Sequence, residues 1–81
     1  MTWAIVWGTP AKRALLSMPR HDAERVSAAV LRFAATGQGA EAPEGGPANA
    51  RRLLLPGYRV LLALDVGAKR IWVKMIYRAD R

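Results

Sequence analysis

Residues Leu55-Pro56-Gly57-Tyr58-Arg59-Val60 put an arginine at the mouth of an apolar run, directly after a Pro-Gly turn and close behind Arg51 and Arg52. A guanidinium stays protonated and presents a planar fork of N–H donors, which matches phosphate oxygens two at a time. An arginine in this setting points toward phosphate. Residues 51–81 also contain Lys69, Arg70, Lys74, Arg78 and Arg81 against only Asp65 and Asp80, so most of the excess positive charge lies in the last third of the chain.

Strands must carry these groups. Arg51 to Leu55, Tyr58 to Asp65 and Arg70 to Tyr77 read as three strands, with turns at Pro56-Gly57 and Val66-Gly67-Ala68, and so predict an antiparallel meander. Val60-Leu61-Leu62-Ala63-Leu64 is apolar on both faces, which marks the central strand. In the last strand, regular alternation puts Ile71, Val73 and Met75 on one face and Arg70, Trp72, Lys74 and Arg78 on the other. The expected result is a greasy face under helices and a basic face away from them.

Upstream, Thr2 to Trp7 reads as a short strand closed by Gly8. Thr9 suits an N-cap and Pro10 a first helical position, so Ala11 to Met18 is expected to be helical, with Ala14, Leu15 and Met18 on one face and Lys12 and Arg13 in water. From His21 to about Ala35, Val26, Ala29, Val30, Phe33 and Ala34 recur at helical spacing. With only Pro19 and Arg20 between them, the two helices should form an antiparallel hairpin. Gly37 to Ala50 is rich in Gly and Pro and reads as a mobile loop without regular structure. The fold class expected is α+β: an N-terminal strand, a helical hairpin, and a three-stranded antiparallel meander forming one small sheet.

At 81 residues and a net charge of +7, residues 1–81 form a single small domain with a strongly basic surface. A chain of this size buries roughly 60–65% of its unfolded surface, so a bound partner would contribute to its stability. The charge favours a polyanionic partner, nucleic acid or an acidic protein first. The absence of cysteine excludes disulfides, thiolate zinc sites and cysteine nucleophiles, and fits a cytoplasmic protein. Met1 to Gly8 has no positive n-region, and its apolar run is far short of the ~20 residues a membrane span needs, so neither export nor a membrane role is expected.

On the basic face the sequence gathers Arg59, Lys74, Arg78 and Arg51 or Arg52, either to hold phosphate or as an ordinary solvated charged face. His21 is the one histidine and so a candidate proton carrier by residue type, but it opens the second helix, away from that face, and reads as a surface residue. Lys74 is the better base if desolvated, and otherwise a charged strand residue in water. Trp3 and Trp7 are expected in the core; Trp72 either stacks on a base or covers exposed sheet. Asp22 and Glu24 are spaced as helix-start acids, not as a catalytic carboxylate pair. No metal-ligand spacing, nucleotide-binding glycine loop or Ser/His/Asp set is present, and no cofactor or small-molecule substrate is expected.

The order of elements, together with Trp3-Ala4-Ile5-Val6-Trp7, Ala11-Lys12-Arg13-Ala14-Leu15, Leu55-Pro56-Gly57-Tyr58-Arg59-Val60 and Lys74-Met75-Ile76-Tyr77-Arg78, resembles the RelE/ParE superfamily of bacterial toxins over nearly the whole chain. RelE-like members of that family cut mRNA in the ribosomal A site without metal. The ribose 2′-oxygen attacks the adjacent phosphate and leaves a cyclic phosphate. The resemblance implies a toxin of a type II toxin–antitoxin system, with a cognate antitoxin, the ribosome and mRNA as partners. It assigns Arg59 to the scissile phosphate and Arg78 to charge stabilisation and acid catalysis. The family's lysine pair falls on Ala50 and Arg52, with Arg51 alongside; Arg52 can hold phosphate but is a poor general base. The family's C-terminal tyrosine has no counterpart in residues 1–81, and Tyr77 or Tyr58 stands in for it in stacking, or each is a half-buried strand residue. The catalytic set implied is therefore Arg59, Arg78 and Arg52, with Arg51, Lys74, Arg81, Tyr77 and Trp72 in contact with RNA.

Two other readings compete. A ParE-like inhibitor of DNA gyrase would need no phosphate-handling set, and the missing lysine pair and tyrosine favour it. A basic nucleic-acid-binding module without catalysis would show steep salt dependence and no cleaved product.

Overall fold

The computed structural model describes residues 2–79. In chain order the elements are β1 (Ala4–Trp7), α1 (Thr9–Ser17), α2 (Arg20–Thr36), β2 (Ala40–Glu41), β3 (Ala50–Leu55), β4 (Tyr58–Asp65) and β5 (Arg70–Arg78). The class is α+β, as expected. The sheet has five strands in the order β1-β5-β4-β3-β2, because β1 pairs parallel to β5 on one side of the meander and β2 adds to β3 on the other. β4 is central, as its two apolar faces require.

Gly8 joins β1 to α1. Its N–H donates to Val73 O (2.9 Å), while its own carbonyl accepts the first helical bond from Lys12 N (2.9 Å). A Cβ at this position would lie 3.0 Å from Val73 O, so any side chain here would crowd the strand carbonyl where strand and helix meet. Gly8, not Thr9, is thus the N-cap; Thr9 is already helical and makes no side-chain cap, while Pro10 sits in the first turn as its ring geometry favours. Pro19 forces Met18 into an extended conformation and ends α1. α2 ends at Gly37, whose N–H returns to Phe33 O.

The core lies on one face of the sheet. Ala11 of α1 and Val26, Val30, Phe33 and Ala34 of α2 close over Leu53, Tyr58, Val60, Leu62, Ile71, Val73 and Ile76. Fully burying an aliphatic side chain of this size stabilises by about 1.5–3 kcal/mol. Trp3, Trp7, Ala14, Leu15 and Met18 pack partly buried against this cluster.

β5 departs from regular alternation. Leu62 pairs with Val73 and Leu61 with Met75, which leaves Lys74 as an extra residue in the strand. This bulge reverses the facing of everything beyond it. Met75, expected inward, is 45% exposed, and Ile76 takes the core position at 6%. The segment expected to be a loop also contains structure: β2 pairs Ala40 with Leu53 and Glu41 with Arg52. No helix among the described residues is long and apolar enough to cross a membrane.

Candidate nucleic-acid interface

The face of the sheet away from the helices is set by the register. Leu54, Arg59 and Tyr77 form one cross-strand row, Arg52, Leu61 and Met75 the next, and Ala50, Ala63 and Trp72 the one after. Arg59, Arg52, Tyr77 and Trp72 therefore share the outer face.

Arg59 follows the turn at Pro56-Gly57, where Gly57 takes φ +86°. Its Nη1 donates to Leu55 O and to Tyr58 O, each at 2.9 Å. Those two bonds tie one end of the guanidinium to the turn and leave the Nε–Nη2 edge as the one a phosphate would take bidentately. Arg52 pairs with Glu41 of β2, Nε to Oε2 at 3.2 Å and Nη2 to the same oxygen. The Glu41 carboxylate holds the Arg52 guanidinium above its ordinary range, and the Tyr77 hydroxyl beside it acts in the same direction. Arg52 thus remains a cation.

Trp72 is 42% exposed at the other end of this face, with the Arg70 guanidinium 5.8 Å from its ring centroid. Arg70 also pairs with Asp65 at 3.3 Å. Lys74, the extra residue of the bulge, is exposed.

Two sequence-predicted residues lie elsewhere. Arg78, expected on the basic face, stands opposite Tyr58 on the helix side, 5.9 Å above its ring, and borders a groove with Ser17, Met18 and Pro19. Arg51 pairs with Leu62 on the same inner face; its Nη1 donates to Ala48 O (3.0 Å) and Ala50 O (2.7 Å), and it borders a cavity with Trp3, Phe33 and Lys69. Arg81 lies outside the described residues. His21 is exposed at the start of α2. Among the described residues no cluster of acidic and histidine side chains could hold a metal ion.

Sequence reading missed one group beside this site. The Tyr58 hydroxyl donates to Asp22 Oδ2 at 2.8 Å, and Arg25 Nη2 donates to Asp22 Oδ1 at 3.4 Å and to Pro56 O at 3.2 Å. The Tyr58 bond, with Arg25 close by, holds the Asp22 carboxyl below its usual range. The same bond, reinforced by burial, raises the Tyr58 phenol. Asp22 was legible only as a helix-start acid, since its partners lie far away in sequence.

No protein-family model and no curated protein matches this chain. Solved structures do. The isolated RelE toxin of E. coli superposes with a TM-score of 0.84 at 12% identity, over 99% of this chain and 87% of that one. The intact E. coli RelBE toxin–antitoxin complex contains a chain with a TM-score of 0.82 at 13% identity, over 99% and 100%. The RelBE2 complex of Mycobacterium tuberculosis gives 0.70 at 19%, over 98% and 100%.

Proposed function

We propose that this chain, which has the RelE-like toxin fold, is the toxin of a toxin–antitoxin pair and cleaves mRNA on the translating ribosome. The observation that supports this most is the meeting of Arg59, Arg52 and Tyr77 on the open face of the sheet. Two guanidiniums share the face on which a phosphodiester would gain charge as it becomes pentacovalent, and the Tyr77 hydroxyl stands beside one of them, Arg52. In the reaction, the ribose 2′-oxygen forms a bond to phosphorus and the bond from phosphorus to the 5′-oxygen breaks, leaving a 2′,3′-cyclic phosphate. The 2′-proton passes to a base and the leaving 5′-oxygen takes a proton. In this reading Arg59 grips the scissile phosphate and Arg52 neutralises its charge. Tyr77 gives its phenolic proton to the leaving 5′-oxygen, and the phenolate so formed recovers the 2′-proton through water, while Lys74 and Trp72 hold flanking nucleotides.

A cognate antitoxin is the partner this reading requires, by analogy with the RelBE complexes. The net charge of +7 favours an acidic one. The site of action would be the cytoplasm, where translation occurs.

One observation favours a second reading. Arg78 leaves the sheet on the side opposite Arg59, so the pair does not converge on one phosphate. A RelE-fold toxin that does not cut RNA, such as a ParE-like gyrase inhibitor, would tolerate that separation. Inducing the chain without its antitoxin and mapping 5′ ends on translated and untranslated copies of one message separates the two. Codon-phased cuts confined to the translated copy support the nuclease. Intact message with arrested growth supports the gyrase reading.

A further inference from the structure

The turn that carries Arg59 is gripped from both sides. Toward the outer face, its flanking carbonyls, Leu55 O and Tyr58 O, each accept from Arg59 Nη1 at 2.9 Å. Toward the helices, Pro56 O accepts from Arg25 Nη2 at 3.2 Å, and the Tyr58 hydroxyl donates to Asp22 at 2.8 Å. Asp22 and Arg25 belong to the first turns of α2 and bond to each other. Tyr58 is only 5% exposed, so its ring has little freedom to turn. The following peptide is fixed as well, because Gly57 O accepts from Ala79 N at 3.0 Å.

We infer that Asp22, Arg25 and Tyr58 are positioning residues for Arg59: they fix the Leu55–Tyr58 turn from the helix side, and its two carbonyls then aim the free edge of the guanidinium at the outer face. An arginine side chain has several rotatable bonds, and holding it in one geometry before ligand arrives removes an entropy cost from phosphate binding. None of the three touches the phosphate itself. The role in RNA binding rests on the proposed function; the ordering of Arg59 does not.

The first readout is the Arg59 Nε–Hε resonance, assigned by its loss in Arg59→Lys. In the wild-type protein it should be displaced from the position of a free arginine, because Nη1 is held by Leu55 O and Tyr58 O. In Tyr58→Phe, which deletes the hydroxyl and keeps the ring, and in Arg25→Gln, at a half-exposed position that tolerates change, it should move toward the position of a free arginine. An unchanged resonance in a variant with lowered Tm would overturn the inference and leave the bracket a purely structural one. The second readout is affinity for a single-stranded RNA oligonucleotide in a double-mutant cycle. Tyr58→Phe should weaken binding about fivefold when Arg59 is present and less than about twofold in an Arg59→Ala background, with the same loss of Tm in both. Equal losses of affinity in the two backgrounds would also overturn it. If wild-type protein binds no RNA, the functional reading fails, and the Arg59 resonance still decides the positioning role.

Discussion

Arg59 and Arg78 stand on adjacent antiparallel strands, yet on opposite faces of the sheet: Arg59 faces Tyr77 on the open side, and Arg78 faces Tyr58 on the helix side. The cause is the single extra residue, Lys74, between Val73 and Met75. One bulge thus determines which basic residues can share a ligand, and Tyr77 replaces Arg78 as the partner of Arg59.

The bulge makes a stability prediction at two neighbouring residues. Ile76→Ala should destabilise by about 2–5 kcal/mol, the range for truncating a buried aliphatic side chain. Met75→Ala should stay within roughly 0.5 kcal/mol, as an exposed position allows. Urea unfolding of both variants checks this, and the reverse order would mean that β5 runs without a bulge.

Glu41 occupies the guanidinium that a phosphate would otherwise take. Glu41→Gln should tighten binding of a single-stranded RNA oligonucleotide about two- to fivefold at low salt, with the gain shrinking as salt rises. The gain should vanish in an Arg52→Ala background. A Glu41→Gln protein with unchanged affinity would show that Arg52 does not meet the RNA.

The Asp22–Tyr58 bond predicts a stability window with two edges. The Asp22 carboxyl is lowered in the folded protein, so its contribution is present above the unfolded value, about 3.9, and is lost as pH falls through the lowered one. The Tyr58 phenol is raised, so its contribution is full below about 10 and is lost as pH rises through the raised value. Tm measured against pH should therefore fall more steeply at both extremes for wild-type protein than for Tyr58→Phe. Parallel curves for the two proteins would contradict the coupling.

Much of this arrangement was legible in the residues. Val26, Val30, Phe33 and Ala34 announced α2 through their spacing, and Tyr58 to Asp65 is the central strand with the boundaries its apolar run implies. Pro56-Gly57 marked the turn and Arg59 the residue to watch. What escaped has physical reasons. Met75 and Ile76 are both apolar, so Val73-Lys74-Met75-Ile76 fits the core equally well with or without a bulge, and only packing chooses. β2 is two residues long, below any period a sequence can display, and is held by pairing with β3 and by the Glu41–Arg52 ion pair. Gly8 displaced Thr9 as the cap because its N–H was already bound to β5. The Asp22–Tyr58 bond joins residues that no local pattern relates.

The most direct test compares the two faces in one assay: wild-type protein, Arg59→Ala and Arg78→Ala, each shown to be folded, are induced without antitoxin and 5′ ends are mapped on a translated message. Codon-phased cuts are expected with wild type, their loss with Arg59→Ala, and their persistence with Arg78→Ala. Cuts that survive Arg59→Ala, or that disappear only with Arg78→Ala, would move the site to the helix side and contradict it.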